Sequence, residues 1–528
     1  MNNKSYAGCR NLHLQYTGRS EPTLSGMNVQ IQQGEKVLLL GPSGSGKSTS
    51  LHVLAGLIPN FIQAMIKGDV WGPERKGVLF QDSESQFCML TVDEEIAFSL
   101  ENRQIPAKDM PKMINKVKKQ AGIDGVPGDT LIHKLSGGTS QRLAFATILA
   151  LEPDILFLDE PTAQLDPAGT ASVINMIRNL HQSQTLILIE HKLEGILDWV
   201  DRVWLVNDQG ELIADDSPEQ MYTEHIHLIE QYGIWKPRLW PYRLKDLETL
   251  PDFFKPSKRK KPAILNPNTI IEMKRGTCKF GKQVVWENVD VSIEEGEWVM
   301  VMGANGAGKS SFLRTLMGLH PLQEGEIKYQ FKGNAMQTPV KVETLSDYIG
   351  FVFQNPEHQF VTDSVEEEIA FAGLVEQWAV EETAERVEQL LEEFRLKHLR
   401  TANPYTLSTG QKRRLSVASM LLKHHEALFL DEPTFGQDAK MSTELLGKIE
   451  QLNENGTTIV MTTHDVELAY TYATKLLVFA ENKVLFTGDA EAFFTQPELV
   501  QRANLEVPLF VEYQAYQRNK MRNKEVLM

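Results

Sequence analysis

Apolar positions in this chain form short runs that predict strands, many of them ending in small or polar residues. The segment GEKVLLLGPSGSGKSTSLHVLAGL, residues 34–57, has an apolar run, a glycine-rich stretch and then leucines at helical spacing. This order predicts a strand, a turn and a helix. The segment ILFLDE, residues 155–160, is apolar until its last two positions, which is typical of a buried parallel strand. No apolar run approaches the ~20 residues that span a bilayer.

The pattern occurs twice, and this internal repeat predicts the organisation of the chain. GPSGSGKST at 41–49 recurs as GANGAGKSS at 303–311, and ILFLDEPT at 155–162 recurs as ALFLDEPT at 427–434. Three more pairs are VLFQDSESQF and FVFQNPEHQF, LSGGTSQR and LSTGQKRR, and LILIEH and IVMTTH. The motif spacings also agree, except for extra residues around KYQFKGNAMQTP in the second half, which suit a hairpin or a loop insertion.

The repeat predicts a first domain over residues 1–240 and a second over 269–528, joined by a linker at 241–268. The linker contains LPDFFKPSKRKKPAILNPN, which is rich in proline and lysine. Its basic run also fits a lipid or nucleic-acid patch, but a solvated linker is the simpler interpretation.

Composition excludes several classes of protein. A chain of 528 residues is too long for one ordinary core, and its 42% hydrophobic and 23% charged residues are typical of globular proteins. The net charge of −16 argues against binding nucleic acid through its phosphates. Three scattered cysteines indicate neither disulfides nor zinc, and the first residues lack the apolar part of a signal peptide. We expect a soluble cytoplasmic protein.

The glycine-rich turns have the composition of phosphate-binding loops. Gly41, Gly44 and Gly46 allow backbone N–H groups to curl around an anion at a helix N-terminus, whose dipole favours negative charge. Lys47 would reach the β- and γ-phosphates of a nucleotide, and the Ser48 hydroxyl would ligate Mg²⁺. Because both loops follow a strand and precede the same four motifs, a chance match is a poor explanation.

Polar residues end the other predicted strands. Asp159 would hold the Mg²⁺ shell, and Glu160 would polarise an attacking water. Gln81 would bridge to the metal-bound water, and His191 would bridge to the γ-phosphate. Each residue alone would more often be structural, but within this set a function is favoured. With the second half included, the predicted catalytic residues are Glu160, His191, Glu432 and His464, and the predicted metal ligands are Ser48, Gln81, Asp159, Ser310, Gln354 and Asp431.

The order of phosphate loop, glutamine, LSGG-type loop, DEP and histidine resembles an ATP-binding cassette (ABC) ATPase, twice and over essentially the whole chain. The resemblance implies an α/β fold with two tandem nucleotide-binding domains, each with a mainly parallel sheet, an antiparallel β subdomain and a helical subdomain. It also implies ATP and Mg²⁺ as cofactors and transport-coupled ATP hydrolysis. In this family the LSGGQ loop of one cassette covers the ATP held by the other, head to tail.

The resemblance assigns nucleotide contacts residue by residue. In the first half these are Tyr16, Gly41, Pro42, Ser43, Gly44, Ser45, Gly46, Lys47, Ser48, Thr49, Ser136, Gly137 and Gly138. In the second half they are Phe280, Gly303, Ala304, Asn305, Gly306, Ala307, Gly308, Lys309, Ser310, Ser311, Ser408, Gly410 and Gln411. Tyr16 and Phe280 take the place of an adenine-stacking aromatic, although such single aromatics could equally belong to a core.

Each LSGG-type loop departs from the family pattern at one position. Thr409 replaces the first glycine and adds a Cβ where backbone approaches phosphate, whereas Thr139 replaces the glutamine, which is a milder change. Site one would use Ser408 to Gln411, and site two Ser136 to Thr139. Because both glutamates and both histidines are present, we expect two hydrolytic sites of unequal rate.

The residues after each Q-loop, QDSESQF with VDEEIAF and QNPEHQF with VEEEIAF, resemble the energy-coupling factor (ECF) ATPases of vitamin and metal-ion uptake. The fused pair is most similar to double ATPases of hydroxymethylpyrimidine or thiamine uptake. This implies a transmembrane coupling subunit that meets Glu84 and Glu357, a small substrate-binding membrane subunit, no nucleic acid, and a peripheral place on the cytoplasmic side of the membrane. The alternative is a soluble double-cassette protein, ribosome-associated or otherwise remodelling.

Overall fold

The computed structural model describes residues 5–17, 21–163, 165, 167–180, 184–240, 244, 247 and 267–526. The side chains of Glu84, Ala168 and residues 521–526 are outside this description. The chain forms two compact units, Met1–Pro241 with Asp438–Lys440 and Tyr242–Gln437 with Met441–Met528. Most of the predicted linker, residues 241–268, lies outside the described residues.

The first unit is built on a mainly parallel sheet. Its described strands are β1 (Ala7–Tyr16), β2 (Leu24–Ile31), β3 (Lys36–Leu40), β4 (Ala64–Trp71), β5 (Lys76–Leu79), β6 (Ile155–Asp159), β7 (Thr185–Ile189), β8 (Arg202–Val206) and β9 (Leu212–Asp216). Its described helices are α1 (Lys47–Ala55), α2 (Val92–Asn102), α3 (Met110–Gln120), α4 (Gly137–Ala150), α5 (Pro167–Arg178), α6 (Pro218–Thr223) and α7 (Ile226–Gln231). The central sheet has the order β5-β6-β7-β3-β8-β9 and is parallel except for β9.

The central sheet of this unit is covered on both faces, which explains why its strands are continuous apolar runs. Val37 and Leu39 of β3 face a core shared with α1 and the antiparallel sheet β2-β1-β4. Leu38 and Leu40 point to the opposite face, into a core shared with α4 and α5, because successive strand residues alternate in direction. A separate core joins α2, α3 and α4 into a helical subdomain.

The second unit repeats these layers. Its described strands are β10 (Thr269–Phe280), β11 (Gln283–Glu294), β12 (Trp298–Met302), β13 (Glu324–Phe331), β14 (Asn334–Gln337), β15 (Ile349–Val352), β16 (Ala427–Asp431), β17 (Thr458–Thr462), β18 (Lys475–Ala480) and β19 (Lys483–Gly488). Its described helices are α8 (Lys309–Leu316), α9 (Val342–Leu345), α10 (Val365–Val375), α11 (Val380–Glu393), α12 (Thr409–Met420), α13 (Ala439–Glu454), α14 (Val466–Tyr472), α15 (Ala490–Phe494), α16 (Pro497–Arg502) and α17 (Leu509–Val526).

The central sheet of the second unit has the order β15-β16-β17-β12-β18-β19, and its antiparallel sheet the order β11-β10-β13-β14. The extra strand β14 pairs with β13, so the inserted segment of the second half forms a hairpin. Lys332 and Gly333 at its turn have φ of +41° and +79°, as a tight two-residue hairpin turn requires. The predicted α/β class is confirmed. No helix in the described ranges is long and apolar enough to cross a membrane.

Candidate functional site

The glycine-rich turn of the first unit lies between β3 and α1. Gly44 and Gly46 have φ of +85° and +82°, a left-handed conformation that side chains disfavour. At Gly41 a Cβ would lie 2.5 Å from a methyl group of Val206, so the turn passes too close to β8 for a larger residue. The turn therefore requires glycine at the positions that the motif predicts.

Lys47 holds this turn from the inside. Its buried ammonium donates to the carbonyl of Gly41 at 2.8 Å and to that of Pro42 at 2.9 Å. Burial lowers the pKa of Lys47, while the carboxylates of Glu160 and Asp159 oppose the shift. A cation inside a glycine-rich turn at a helix N-terminus is an arrangement suited to phosphate groups.

The second unit repeats this geometry between β12 and α8. Gly306 and Gly308 have φ of +77° and +95°, and Lys309 donates to the carbonyls of Gly303 at 2.9 Å and Ala304 at 3.0 Å. The other predicted phosphate-loop residues lie in these turns and the first residues of α1 and α8: Pro42, Ser43, Ser45, Ser48, Thr49, Asn305, Ala307, Ser310 and Ser311. Both units thus have the same glycine-rich turn around a buried lysine.

Asp159 and Asp431 are the last residues of β6 and β16. The hydroxyl of Ser310 donates to Asp431 at 3.0 Å, and Ser48 makes the corresponding hydrogen bond to Asp159. Burial raises the pKa of Asp159 to about 6, with Glu160 adding to the rise, and burial also raises the pKa of Asp431.

These two aspartates fit a cation. Within the described ranges, Oδ1 of Asp159 and Oδ2 of Asp431 are buried without a hydrogen-bond partner. A buried polar atom left unpaired is costly. An unpaired carboxylate oxygen next to a serine hydroxyl offers the hard oxygen ligands that Mg²⁺ prefers.

Glu160 and Glu432 follow these aspartates and have an unusual backbone. Their φ values of +47° and +49° lie in the left-handed region, which is strained for residues other than glycine. Oε1 of Glu160 lies 3.1 Å from Nε2 of His191, and Oε1 of Glu432 lies 2.6 Å from Nε2 of His464. Each strained backbone places its glutamate side chain against the histidine that follows the neighbouring strand, and this contact is what ties the strain to the site.

The surroundings of these buried glutamates favour their ionised form. Burial acts to raise the pKa of Glu160, but His191 and Lys47 outweigh it, so that the pKa is lowered. At Glu432 burial again acts to raise the pKa, and His464 outweighs it with smaller help from Lys309. An ionised carboxylate in contact with an imidazole can take a proton from water.

The Q-loops, the segments around Gln81 and Gln354, differ between the units. The side-chain amide of Gln81 donates to Oε2 of Glu160 at 2.8 Å, so the first unit brings Gln81, Glu160 and His191 together. In the second unit Gln354 is exposed, and its backbone carbonyl accepts a hydrogen bond from Arg413. The structure therefore places only the first of these glutamines against its glutamate.

Sequence reasoning missed two buried charged residues near these sites. Glu190 accepts hydrogen bonds from the backbone N–H groups of Thr162 and His191, both at 2.9 Å, and so joins the turn after Glu160 to the histidine. Arg413 lies in α12 of the second unit and is 1% exposed. The repeat gives no signal for either residue, because Glu190 aligns with Thr463 and Arg413 with Gln141, so neither has a charged counterpart in the other half.

The LSGG-type loops, which we call the signature loops, run into the N-termini of α4 and α12. Ser136 caps α4, and its hydroxyl lies 2.8 Å from that of Thr139. Ser408 caps α12 in a capping box, with Gln411 accepting from the Ser408 N–H at 2.9 Å. Thr139 thus also contacts the capping serine, but through the serine hydroxyl, whereas Gln411 contacts the serine backbone N–H. Gly137, Gly138 and Gly410 lie in the first turns of these helices.

The two aromatics proposed for adenine have different surroundings. Tyr16 is partly buried at the end of β1, and its hydroxyl lies 3.1 Å from that of Thr49 in α1. Phe280 is 50% exposed at the end of β10 and makes an edge contact with His320. Phe280 thus has an exposed ring surface, whereas Tyr16 is tied to the helix that follows the phosphate loop.

Two phosphate-binding turns, each with a strand-end aspartate and a glutamate–histidine pair, define a tandem P-loop nucleotide-binding protein. The sequence pattern of the ABC transporter family matches residues 24–163 and 286–435, which is more than half of the chain. The chain belongs to this family, and it is an ATP-binding ABC-type ATPase with two cassettes.

Full-length relatives support the assignment. The chain is 35% identical over 531 residues to a Bacillus subtilis protein that carries the name HMP/thiamine import ATP-binding protein YkoD, covering 96% of each. It is 34% identical over 545 residues to an ABC transporter ATP-binding protein of Methanosarcina mazei, covering 94% of this chain and 91% of that protein. The archaeal ribosome recycling factor aABCE1, solved with stalk protein aP1, matches 96% of this chain with a TM-score of 0.60 and 21% identity, and so shares the fold.

Thr409→Gly is expected to preserve or raise ATPase activity, because it removes a side chain where backbone should approach phosphate. Thr409 is exposed at the first position of α12, so its loss should change stability little. Steady-state phosphate release measures the effect. The reverse change, Gly137→Thr, is the matched comparison and should lower activity, because it adds a side chain at the equivalent position of the other loop. Its fold should be unchanged, since an added Cβ there meets nothing closer than a Leu165 methyl group at 3.9 Å. A collapse of activity in Thr409→Gly with unchanged folding would instead make the threonine hydroxyl a required ligand.

Proposed function

We propose that this chain is the ATP-hydrolysing subunit of an ECF-type membrane importer for a vitamin or vitamin precursor. The observation that carries the proposal is the match over 96% of both chains to a relative named for HMP/thiamine import. The segments after both Q-loops support it, because they resemble those of ECF ATPases. The chain acts on the cytoplasmic side of the membrane, with a transmembrane coupling subunit and a small substrate-binding subunit.

In this function the two turns bind the triphosphate groups of ATP. Backbone N–H groups and the charges of Lys47 and Lys309 compensate the phosphate oxygens. Ser48 and Asp159 with Gln81 would hold Mg²⁺ in the first cassette, and Ser310 and Asp431 with Gln354 would hold it in the second. A bound Mg²⁺ would supply positive charge that offsets the phosphate oxygens.

Hydrolysis uses the glutamate–histidine pairs. Glu160 and Glu432 each orient a water for attack on the γ-phosphorus and take its proton, because they are ionised in a buried site. His191 and His464 hold these carboxylates and contact the γ-phosphate. The Ser136 and Ser408 loops each cover the ATP of the other cassette, with Gly137 and Gly138 in one loop and Gly410 and Gln411 in the other. ATP binding would then close the two cassettes and hydrolysis would open them, and this cycle would move the membrane subunits.

Purification of the chain from membranes of its own cells tests the importer role. We expect an apolar coupling subunit and a small substrate-binding subunit to co-purify. Vesicles that contain the complex should take up hydroxymethylpyrimidine or thiamine in an ATP-dependent way. Co-sedimentation with ribosomes, without any membrane subunit, would instead favour the remodelling alternative.

Charge reversal at Glu84 and Glu357 is expected to weaken assembly with the coupling subunit while leaving ATP binding by the isolated chain unchanged. Glu357 is partly exposed and pairs with Lys412 at 2.5 Å, which leaves one side of its carboxylate for an incoming guanidinium. A partly desolvated pair of this kind loses about 2–5 kcal/mol when one partner is removed. Co-purification and uptake measure the effect of Glu84→Arg with Glu357→Arg.

The control for this prediction is Lys412→Ser, which breaks the internal ion pair but keeps the proposed contact charge. Serine is the residue that the first cassette has at this position, Ser140. Lys412→Ser should assemble normally. In this proposal Glu84 and Glu357 meet arginines of the coupling subunit, so changing those arginines to glutamate should restore some assembly of the double variant. Normal co-purification and uptake by the double variant would remove these glutamates from the interface.

A further inference from the structure

The Q-loop of the second cassette is attached to the helix that follows its signature loop. Arg413, in the second turn of α12, donates to the backbone carbonyls of Phe353 at 2.6 Å and Gln354. Its guanidinium is almost completely buried, and the site carboxylates Asp431 and Glu432 lie close enough to act on its charge. A buried guanidinium needs such partners, so breaking this contact is costly.

Two other side-chain contacts join the same segments. Gln359 donates to the Ser416 carbonyl and to the Ser419 hydroxyl, both at 2.8 Å, and accepts from the Ser416 hydroxyl at 2.8 Å. Lys412 pairs with Glu357. Residues 353–359 therefore contact three successive turns of α12, a helix that begins directly after Ser408.

The first cassette holds its Q-loop differently. Gln86, the counterpart of Gln359, bonds to the backbone of Val78 and Phe80 at the end of β5, both at 3.2 Å. Gln81 donates to Glu160. The residues of α4 that align with Lys412, Arg413, Ser416 and Ser419 are Ser140, Gln141, Ala144 and Thr147, which include no cation. Among the described side-chain hydrogen bonds, those of Gln81 and Gln86 thus join the first Q-loop to the glutamate and the central sheet, whereas those of the second Q-loop go to the signature helix.

We propose that Arg413 is a positioning residue that fixes the Q-loop of the second cassette to its signature helix, so that Gln354 and Ser408 move as one body. In the first cassette Gln81 keeps its hydrogen bond to Glu160 and is not fixed to the signature helix in this way. The two cassettes would therefore couple nucleotide state to the Q-loop by different routes. This inference rests on the ATPase activity of the chain and does not depend on the importer role.

Arg413→Gln tests the inference on the full-length chain. The fold should tolerate glutamine, because Gln141 is buried at the matching position of α4. We expect hydrogen exchange at the amides of 353–359 to increase about ten-fold or more, since the charge-assisted contacts that hold this segment at Phe353 and Gln354 are lost. The kcat for ATP hydrolysis should fall about ten-fold while the KM for ATP changes less than about two-fold.

Arg414→Gln is the matched control. Arg414 is the next residue of α12 and donates to the carbonyl of Phe394 at 3.1 Å, away from the Q-loop. Its loss should leave exchange at 353–359 and kcat unchanged. Arg413→Lys should restore part of the protection, because an ammonium can still reach one carbonyl. Unchanged exchange and kcat in Arg413→Gln would overturn the proposal, as would an equal effect of Arg414→Gln.

Discussion

Glu432→Gln is expected to leave ATP binding intact and to lower turnover at the second site by about 10²–10³. Glutamine keeps the size of the side chain and an acceptor for Nε2 of His464, which lies 2.6 Å from the carboxylate. It cannot take a proton from the attacking water. Glutamate and glutamine are equally strained by the φ of +49° at position 432, so the substitution should not alter the turn. Glu160→Gln should have the same effect at the first site.

Two measurements separate binding from chemistry in these variants. Equilibrium binding of a fluorescent ATP analogue should give wild-type stoichiometry, and phosphate release should fall, with the variant accumulating in a closed, nucleotide-bound form. Glu454→Gln, at an exposed position near the end of α13, is the control and should behave as wild type. If either variant kept wild-type turnover with both sites occupied, the water-polarising role would belong to another residue.

The parts of the site that depend on local sequence could be predicted. Gly44 must be glycine because the turn needs a φ of +85°, and this requirement is visible as a motif. Asp159 could be placed because an apolar run that ends in an acid locates the carboxyl end of a buried strand. The same reasoning placed the corresponding residues of the second cassette, since the repeat preserves both composition and spacing.

Contacts between distant segments could not be predicted in this way. Gln81 and Gln354 occupy equivalent positions, but only Gln81 reaches a glutamate. The Gln354 backbone is held by Arg413, which is far along the chain, and no local pattern shows that this arginine is buried. The left-handed backbone of Glu160 could not be predicted either. The N–H of Glu160 donates to the carbonyl of Ile189 at the end of β7, a segment distant in the sequence.

Lys47→Ala and Lys309→Ala are expected to lower affinity for ATP by roughly 30-fold to several thousand-fold at the altered site. Removing one partner of a desolvated charge pair costs about 2–5 kcal/mol, and every 1.4 kcal/mol is ten-fold. The substitution also leaves the carbonyls of Gly41 and Pro42, or of Gly303 and Ala304, without the ammonium that they contact. The loop should therefore lose both its cation and its preorganised shape.

Titration with a fluorescent ATP analogue, with and without Mg²⁺, measures this loss, and circular dichroism with Tm checks the fold. Lys76→Ala is the matched control, because Lys76 also donates to a backbone carbonyl, that of Leu54 at 3.0 Å, but lies outside the phosphate loop. It should lower Tm slightly and leave ATP affinity unchanged. Each lysine variant should lose one of the two binding events and keep the other. Two wild-type binding events in Lys309→Ala would mean that the second cassette binds phosphate without this ammonium.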